Sequence, residues 1–101
     1  MSIDRDQIAQ RLGFRREDID MLMGVFSKNA AVSLEQMRQM IADSDFGGIA
    51  DAAHAIKGSA GNLKLHSIYT LAETIEMQAK KTLNEDFEAQ YQELKILLGT
   101  V

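Results

Sequence analysis

The spacing of the apolar residues constrains the fold of this chain more than any other feature. Along almost all of its 101 residues, apolar side chains recur at intervals of three and four, which places them on one face of an α-helix. No stretch alternates convincingly with the period of two that marks a half-buried strand. The sequence also contains no proline, the residue that most strongly interrupts helices. These observations predict an all-α fold built from long helices.

The longest predicted helix runs from about Arg16 to Ala42 and would be roughly 40 Å long at about 1.5 Å per residue. A second apolar set on this helix, Met21, Val25 and Val32, lies roughly opposite the core face. We expect a short N-terminal helix to cover Val32, whereas Met21 and Val25 are either covered in the same way or form an exposed patch that docks a partner. The core face itself carries Ile19, Met23, Phe26, Ala30, Leu34, Met37 and Ile41.

Short connections join the predicted helices. The N-terminal helix would end at Gly13, and Asp43-Ser44-Asp45 would form a turn that caps the next helix. Asn84 is the candidate cap of the last helix. The apolar points of the N-terminal helix are Ile3, Ile8 and Leu12. We expect one domain over residues 1–101, an antiparallel up-down four-helix bundle with a short additional N-terminal helix. The three bundle helices that follow the long helix would cover about residues 46–63, 66–81 and 85–98.

The composition excludes several classes of protein. Without cysteine there can be no disulfide, thiolate metal site or cysteine nucleophile. Fifteen acidic residues outnumber eleven basic ones, the opposite of the balance in most nucleic-acid-binding domains. No apolar run approaches the roughly 18 residues of a membrane span, and the N-terminus lacks the features of a signal peptide. We therefore expect a cytoplasmic protein that binds neither nucleic acid nor membrane, and we expect it to be a monomer.

The candidate for chemistry is His54, which stands in the middle of a predicted helix that also contains Gly58 and Gly61. An interior glycine destabilises a helix by roughly 1 kcal/mol relative to alanine, so two of them need a reason. The positions that share a helical face with His54 are i−4, i+4 and i+7, and they hold Ala50, Gly58 and Gly61. The imidazole would then stand on a stripe almost without side chains, which another protein could approach closely.

Lys57, three residues after His54, adds a cation beside the imidazole. A lysine ammonium binds phosphate as a point charge, and stabilising charge on a transferring phosphoryl group is a large part of catalysis. Histidine is mostly neutral at cytoplasmic pH, so a ring nitrogen is free to attack. These residues favour the transfer of an anionic group such as phosphoryl. The alternative is that the glycines permit tight helix packing and that His54 is a partly buried core residue.

The segment Ala53–Leu63, AHAIKGSAGNL, resembles the signature of histidine-containing phosphotransfer (HPt) domains. That signature is a histidine, two residues, then lysine-glycine followed by small residues. Further on, Leu71-Ala72 and Ile75-Glu76 fall where the family has its next apolar positions followed by glutamate or glutamine. The resemblance covers about Ile19–Lys81 in detail and the whole chain in architecture.

The resemblance implies a phosphorelay intermediate rather than an enzyme. His54 would accept a phosphoryl group, at Nε2, from the aspartate of one receiver domain and pass it to another receiver. Lys57 would offset phosphoryl charge, while Gly58 opens the approach and Gly61 extends the open stripe. Glu76 would hold the other ring nitrogen of His54, although a solvated charge on a helix face is an equal alternative for it.

The resemblance also implies the partners: response-regulator receiver domains and a hybrid sensor histidine kinase. The receiver would supply Mg²⁺ and most catalytic groups, so no cofactor and no ATP are expected on this chain. One departure concerns partner choice, because Lys64 stands where many family members have another glycine. We count Ala50 and Lys64, with Gly58 and Gly61, as the receiver approach surface.

Two other functions remain as alternatives. One is a bundle that binds a kinase or receiver without carrying phosphate. The other is a metal-binding bundle, suggested by the spacing of Asp51 and His54, but di-iron bundles need two such pairs with glutamate and two more glutamates. His66 is expected at the surface or at a helix start, and Lys80-Lys81 reads as a solvated helix end.

Overall fold

The computed structural model describes residues 4–81 and 87–101. Within these ranges every regular element is an α-helix, and no helix is long and apolar enough to cross a membrane. The expected bounds of α2, α3 and α4 lie within one residue of those observed. Ile3, Asn84 and the expected start of the last helix lie outside the described residues. The helices are α1 (Arg5–Leu12), α2 (Arg16–Ala42), α3 (Phe46–Asn62), α4 (His66–Lys80) and α5 (Phe87–Leu98).

Side chains and residues with a left-handed backbone end or begin several of the helices. The Asp45 carboxylate accepts a hydrogen bond from the Gly48 N–H at 3.0 Å and caps α3, as the acidic turn predicts. Gly13 follows α1 with φ of +71°, a conformation that glycine adopts without strain. Lys64 follows α3 with φ of +59°, although it carries a side chain. Three residues, 63–65, connect α3 to α4, and the two helices pack against each other.

The four long helices enclose one core. α3 packs against α2 and α4, and α5 closes the group by packing against the same two helices. The predicted core face of α2 is buried except at Ile41, which is partly exposed. All four helices contribute to the largest fully buried side chains, which are Ile19, Met23, Met37, Ile49, Ile56, Ile75 and Leu94.

The outer face of α2 contradicts one prediction. Val32 was expected under α1, but its side chain is 57 % exposed, and Met21 and Val25 are also more than half exposed. The cause is the short reach of α1, which has eight residues and is tied to the start of α2 by ion pairs that include Arg5 with Asp20. Val32 lies twelve residues beyond Asp20, about 18 Å along the helix.

Candidate functional site

His54 and Glu76 form the centre of a charged cluster between α3 and α4. The Nδ1 atom of His54 lies 2.8 Å from Oε2 of Glu76. The Nζ atom of Lys57 lies 2.6 Å from the other oxygen, Oε1, and Nζ of Lys80 lies 3.1 Å from Oε2. The Glu76 side chain is only 4 % exposed, so it is a buried acid rather than a solvated charge. Of the two roles that the sequence left open for Glu76, the structure thus supports contact with His54.

The two lysines keep this buried carboxylate ionised. The hydrogen bond from Lys57 is the largest of the effects that lower the pKa of Glu76 to about 2, and Lys80 and His54 add to it while burial opposes it. The same contact raises the pKa of Lys57. Glu76 is therefore a carboxylate with two cationic neighbours over the whole neutral pH range. A buried carboxylate is stable only when it is paired in this way.

An ionised Glu76 decides which nitrogen of His54 carries the hydrogen. A carboxylate can only accept hydrogen bonds, so Nδ1 must donate its N–H to Oε2. In the neutral ring the lone pair then lies on Nε2. The His54 side chain is 66 % exposed, so the imidazole is held at one nitrogen and accessible to another molecule. The arrangement can present a neutral nucleophile of fixed tautomer.

Gly58 provides the free space that the sequence predicts beside His54. It is exposed, and a Cβ atom built on it would have no neighbour within 4 Å. Nothing in the described chain therefore packs over this part of α3. Its space is available to an approaching partner.

Gly61 and Ala50 do not belong to this open surface, which corrects the prediction. A Cβ atom at Gly61 would lie 3.3 Å from the ring of Tyr69, so this glycine allows α4 to approach α3 closely. Ala50 is 4 % exposed and belongs to the core. Both residues share a face with His54, but they lie on its inner side, towards α4 and the core. The packing explanation thus applies to Gly61 and the open-approach explanation to Gly58.

Lys64 lies beyond the end of α3, ten residues from His54 and therefore about 15 Å along the helix axis. Its left-handed backbone is the conformation that glycine favours after a helix. A glycine at this position would serve the turn, and the lysine holds the same turn at a cost in strain. The presence of lysine instead of glycine at position 64 therefore affects the backbone of the α3–α4 turn directly.

Lys80 belongs to the cluster, whereas the sequence predicts only a solvated helix end for it. The sequence contains a signal for this contact, because Glu76 and Lys80 stand four residues apart on one helix, a spacing that favours an ion pair.

The other histidine, His66, is exposed at the first position of α4, as expected. Across the described residues, no group of three or more histidine, aspartate or glutamate side chains is placed to hold a metal ion.

A comparison with protein-family models now adds to this geometry. The Hpt domain model matches residues 21–101, which include α3, α4 and the whole charged cluster. The chain belongs to the Hpt domain family. No curated protein and no solved structure matches it significantly.

Membership of the family carries a general function. Hpt domains take part in phosphotransfer within two-component phosphorelays, and they act as phosphocarriers rather than kinases. They interact with receiver domains and kinases of these systems. The helical bundle of this chain agrees with that family.

Proposed function

We propose that His54 accepts a phosphoryl group at Nε2 from the aspartyl phosphate of a receiver domain and later donates it to the aspartate of another receiver. The observation that carries this proposal is the pairing of an exposed imidazole with a buried, ionised Glu76 at 2.8 Å. This pairing leaves the outward nitrogen unprotonated in the neutral ring. The antiparallel course of the four long helices is part of the proposal, supported by the three-residue connections between α2, α3 and α4.

The transfer step balances as a displacement at phosphorus. The lone pair of Nε2 forms the N–P bond while the P–O bond to the receiver aspartate breaks, and its electron pair returns to that carboxylate. The product ring carries phosphoryl on Nε2 and hydrogen on Nδ1, so the ring itself bears a positive charge. Oε2 of Glu76 already accepts the Nδ1–H and stabilises this charge as it develops. The reverse displacement delivers the group to the next receiver.

Lys57 contributes through the charge of the whole cluster. Its ammonium is bound to Oε1 of Glu76, so it is already engaged before any phosphoryl group arrives. With a neutral imidazole, the two ammonium groups of Lys57 and Lys80 and the one carboxylate leave a single positive charge. That surplus favours the incoming dianionic group, and it offsets phosphoryl charge without moving Lys57 from its partner.

The receiver is proposed to approach over Gly58, with its Mg²⁺ and remaining catalytic groups supplied from its own side. Lys64 would lie at the margin of this contact, where a cation attracts an acidic receiver face. Neither Ala50 nor Gly61 has a part in the contact. A hybrid sensor histidine kinase is proposed as the source of the phosphoryl group through its receiver.

The test is transfer of radiolabelled phosphoryl from a panel of phosphorylated receiver domains, with Mg²⁺, to three proteins. These are the wild type, His54→Gln and the matched control His66→Gln, which removes the other histidine. We expect an acid-labile, base-stable label on the wild type and on His66→Gln, and none on His54→Gln. Label on His54→Gln would contradict the assignment of the site.

The second candidate is a bundle that binds a receiver or kinase without carrying phosphate. The exposed apolar side chains of Met21 and Val25 on α2 favour it, because they form a contact surface that does not involve His54. Under this alternative, a folded wild-type protein would bind a receiver from the panel without acquiring label.

A further inference from the structure

One contact of Glu76 enters the proposed displacement only through its charge: its ion pair with Lys80, one helical turn further along α4. Nζ of Lys80 lies 3.1 Å from Oε2, the same oxygen that accepts the Nδ1–H of His54 at 2.8 Å. The other oxygen, Oε1, is bound by Lys57. Lys80 and His54 therefore share one acceptor atom, and a positive charge on either opposes a positive charge on the other.

The other ionisable groups near this oxygen come from the two helices that form the site. α3 contributes His54, Lys57 and, three residues before His54, Asp51, and on α4 the charge of Glu73 acts on Lys57. α2 packs against α3 and α5 packs against α4, but among the described residues of these two helices none is an ion-pair partner of Glu76. Lys80 is thus the cation that acts on Oε2 from the solvent side, with 65 % of its side chain exposed.

We propose that Lys80 is a positioning residue for His54, which holds Oε2 of Glu76 in place as the acceptor of the Nδ1–H and acts against a second proton on the ring. Without Lys80, the carboxylate is opposed by one ammonium instead of two, so it stabilises a protonated imidazole more strongly. The effect on phosphoryl transfer rests on the proposed function. The effect on the ring itself is a property of the free protein and does not.

The expected size follows from the shared oxygen. Because both nitrogens contact Oε2, Nδ1 and Nζ are at most about 6 Å apart. Two unit charges at about 6 Å in a water-like environment, the proper choice for two exposed side chains, change a protonation midpoint by about half a pH unit. Removing Lys80 should therefore move the titration of His54 to higher pH by this amount.

The test is nuclear magnetic resonance of the free, ¹⁵N-labelled protein in a His66→Gln background, which leaves His54 as the remaining histidine. We expect Lys80→Met to raise the titration midpoint of the His54 ring by about half a pH unit. The same variant should make the Nε2-protonated tautomer detectable, since Oε2 is no longer held. Lys80→Arg should restore the wild-type midpoint, and Lys28→Met, which removes an exposed charge from α2, should leave it unchanged.

An unchanged midpoint in Lys80→Met would overturn the proposal, and so would an equal shift in Lys28→Met. A parallel measurement of phosphoryl acceptance against pH should show the acid limb of the profile moving up by the same half unit in Lys80→Met. If the wild type accepts no phosphoryl group, the proposed function fails while the ring titration still decides the role of Lys80.

Discussion

Gly58 and Gly61 lie three residues apart on α3, and the structure predicts opposite responses to the same substitution. Replacing glycine by alanine inside a helix stabilises it by about 1 kcal/mol when the new methyl group meets no obstacle. Gly58 meets that condition, because its Cβ position has no neighbour within 4 Å. Gly61 does not, because its Cβ position lies 3.3 Å from two ring carbons of Tyr69, which must move. The gain in helix propensity is then offset by the shift that the Tyr69 ring must make.

Thermal unfolding followed by circular dichroism measures the difference. For a chain of this size, about 1 kcal/mol corresponds to a rise of roughly 4–8 °C in Tm. We expect that rise for Gly58→Ala and little change or a fall for Gly61→Ala. Gly61→Leu should destabilise strongly, since a larger side chain cannot fit against Tyr69. Equal stabilisation by both alanine variants would refute the assignment of Gly61 to helix packing.

Gly58→Leu separates stability from function. Leucine is nearly as good a helix former as alanine, so the variant should fold and be at least as stable as the wild type. Its side chain would fill the space one turn from His54, and a displacement of the receiver by about 1 Å can cost about 100-fold in rate. We expect phosphoryl transfer to fall by about that factor. Wild-type transfer rates in a folded Gly58→Leu protein would refute the idea that this glycine opens the approach.

Three further substitutions test the charged cluster and the turn. The pKa of Glu76 is lowered from 4.5 to about 2, so its ion pairs stabilise the fold above pH 4.5 and that stability is lost as the pH falls towards 2. Glu76→Gln should cost about 1–2 kcal/mol at neutral pH and flatten this acid dependence, which urea unfolding at several pH values measures. Lys57→Ala should slow phosphoryl transfer without abolishing it, and an unchanged rate would make this lysine a structural partner of Glu76 only. Lys64→Gly should stabilise the protein by about 1 kcal/mol in the same unfolding assay, because glycine adopts the left-handed backbone without strain; a loss of stability would contradict this.

The helices were predictable because each carries a continuous apolar face. In α2, the predicted core positions from Ile19 to Met37 are all buried. The exposure of Val32 was not predictable from the same pattern, since it depends on where the eight-residue helix α1 ends in space. Periodicity shows which side of a helix is apolar, and the length and attachment of a neighbouring helix decide what covers the other side.

The charged cluster was predictable only in part. His54 and Lys57 are close in sequence, and their spacing places them together on any helix. Glu76 is 22 residues from His54, and its contact depends on how α4 packs against α3, so only the family resemblance indicated it. Lys80 then follows from Glu76 by its spacing on the same helix, but only once Glu76 is known to be buried.

The positions of the two glycines show how the sequence could have separated them. At about 100° per residue, and measured from the fully buried Ala53, Ala50 lies at about 60° and Gly61 at about 80° around α3. His54 lies at about 100° and Gly58 at about 140°. Exposure increases in the same order: Ala50 is buried, Gly61 packs against Tyr69 of α4, and His54 and Gly58 are exposed. Angles counted from His54 instead make Ala50, Gly58 and Gly61 equivalent, because all three share its face. Measured from the core instead, a residue on the inner side of a surface histidine packs against a neighbouring helix, and only one on its outer side can admit a partner.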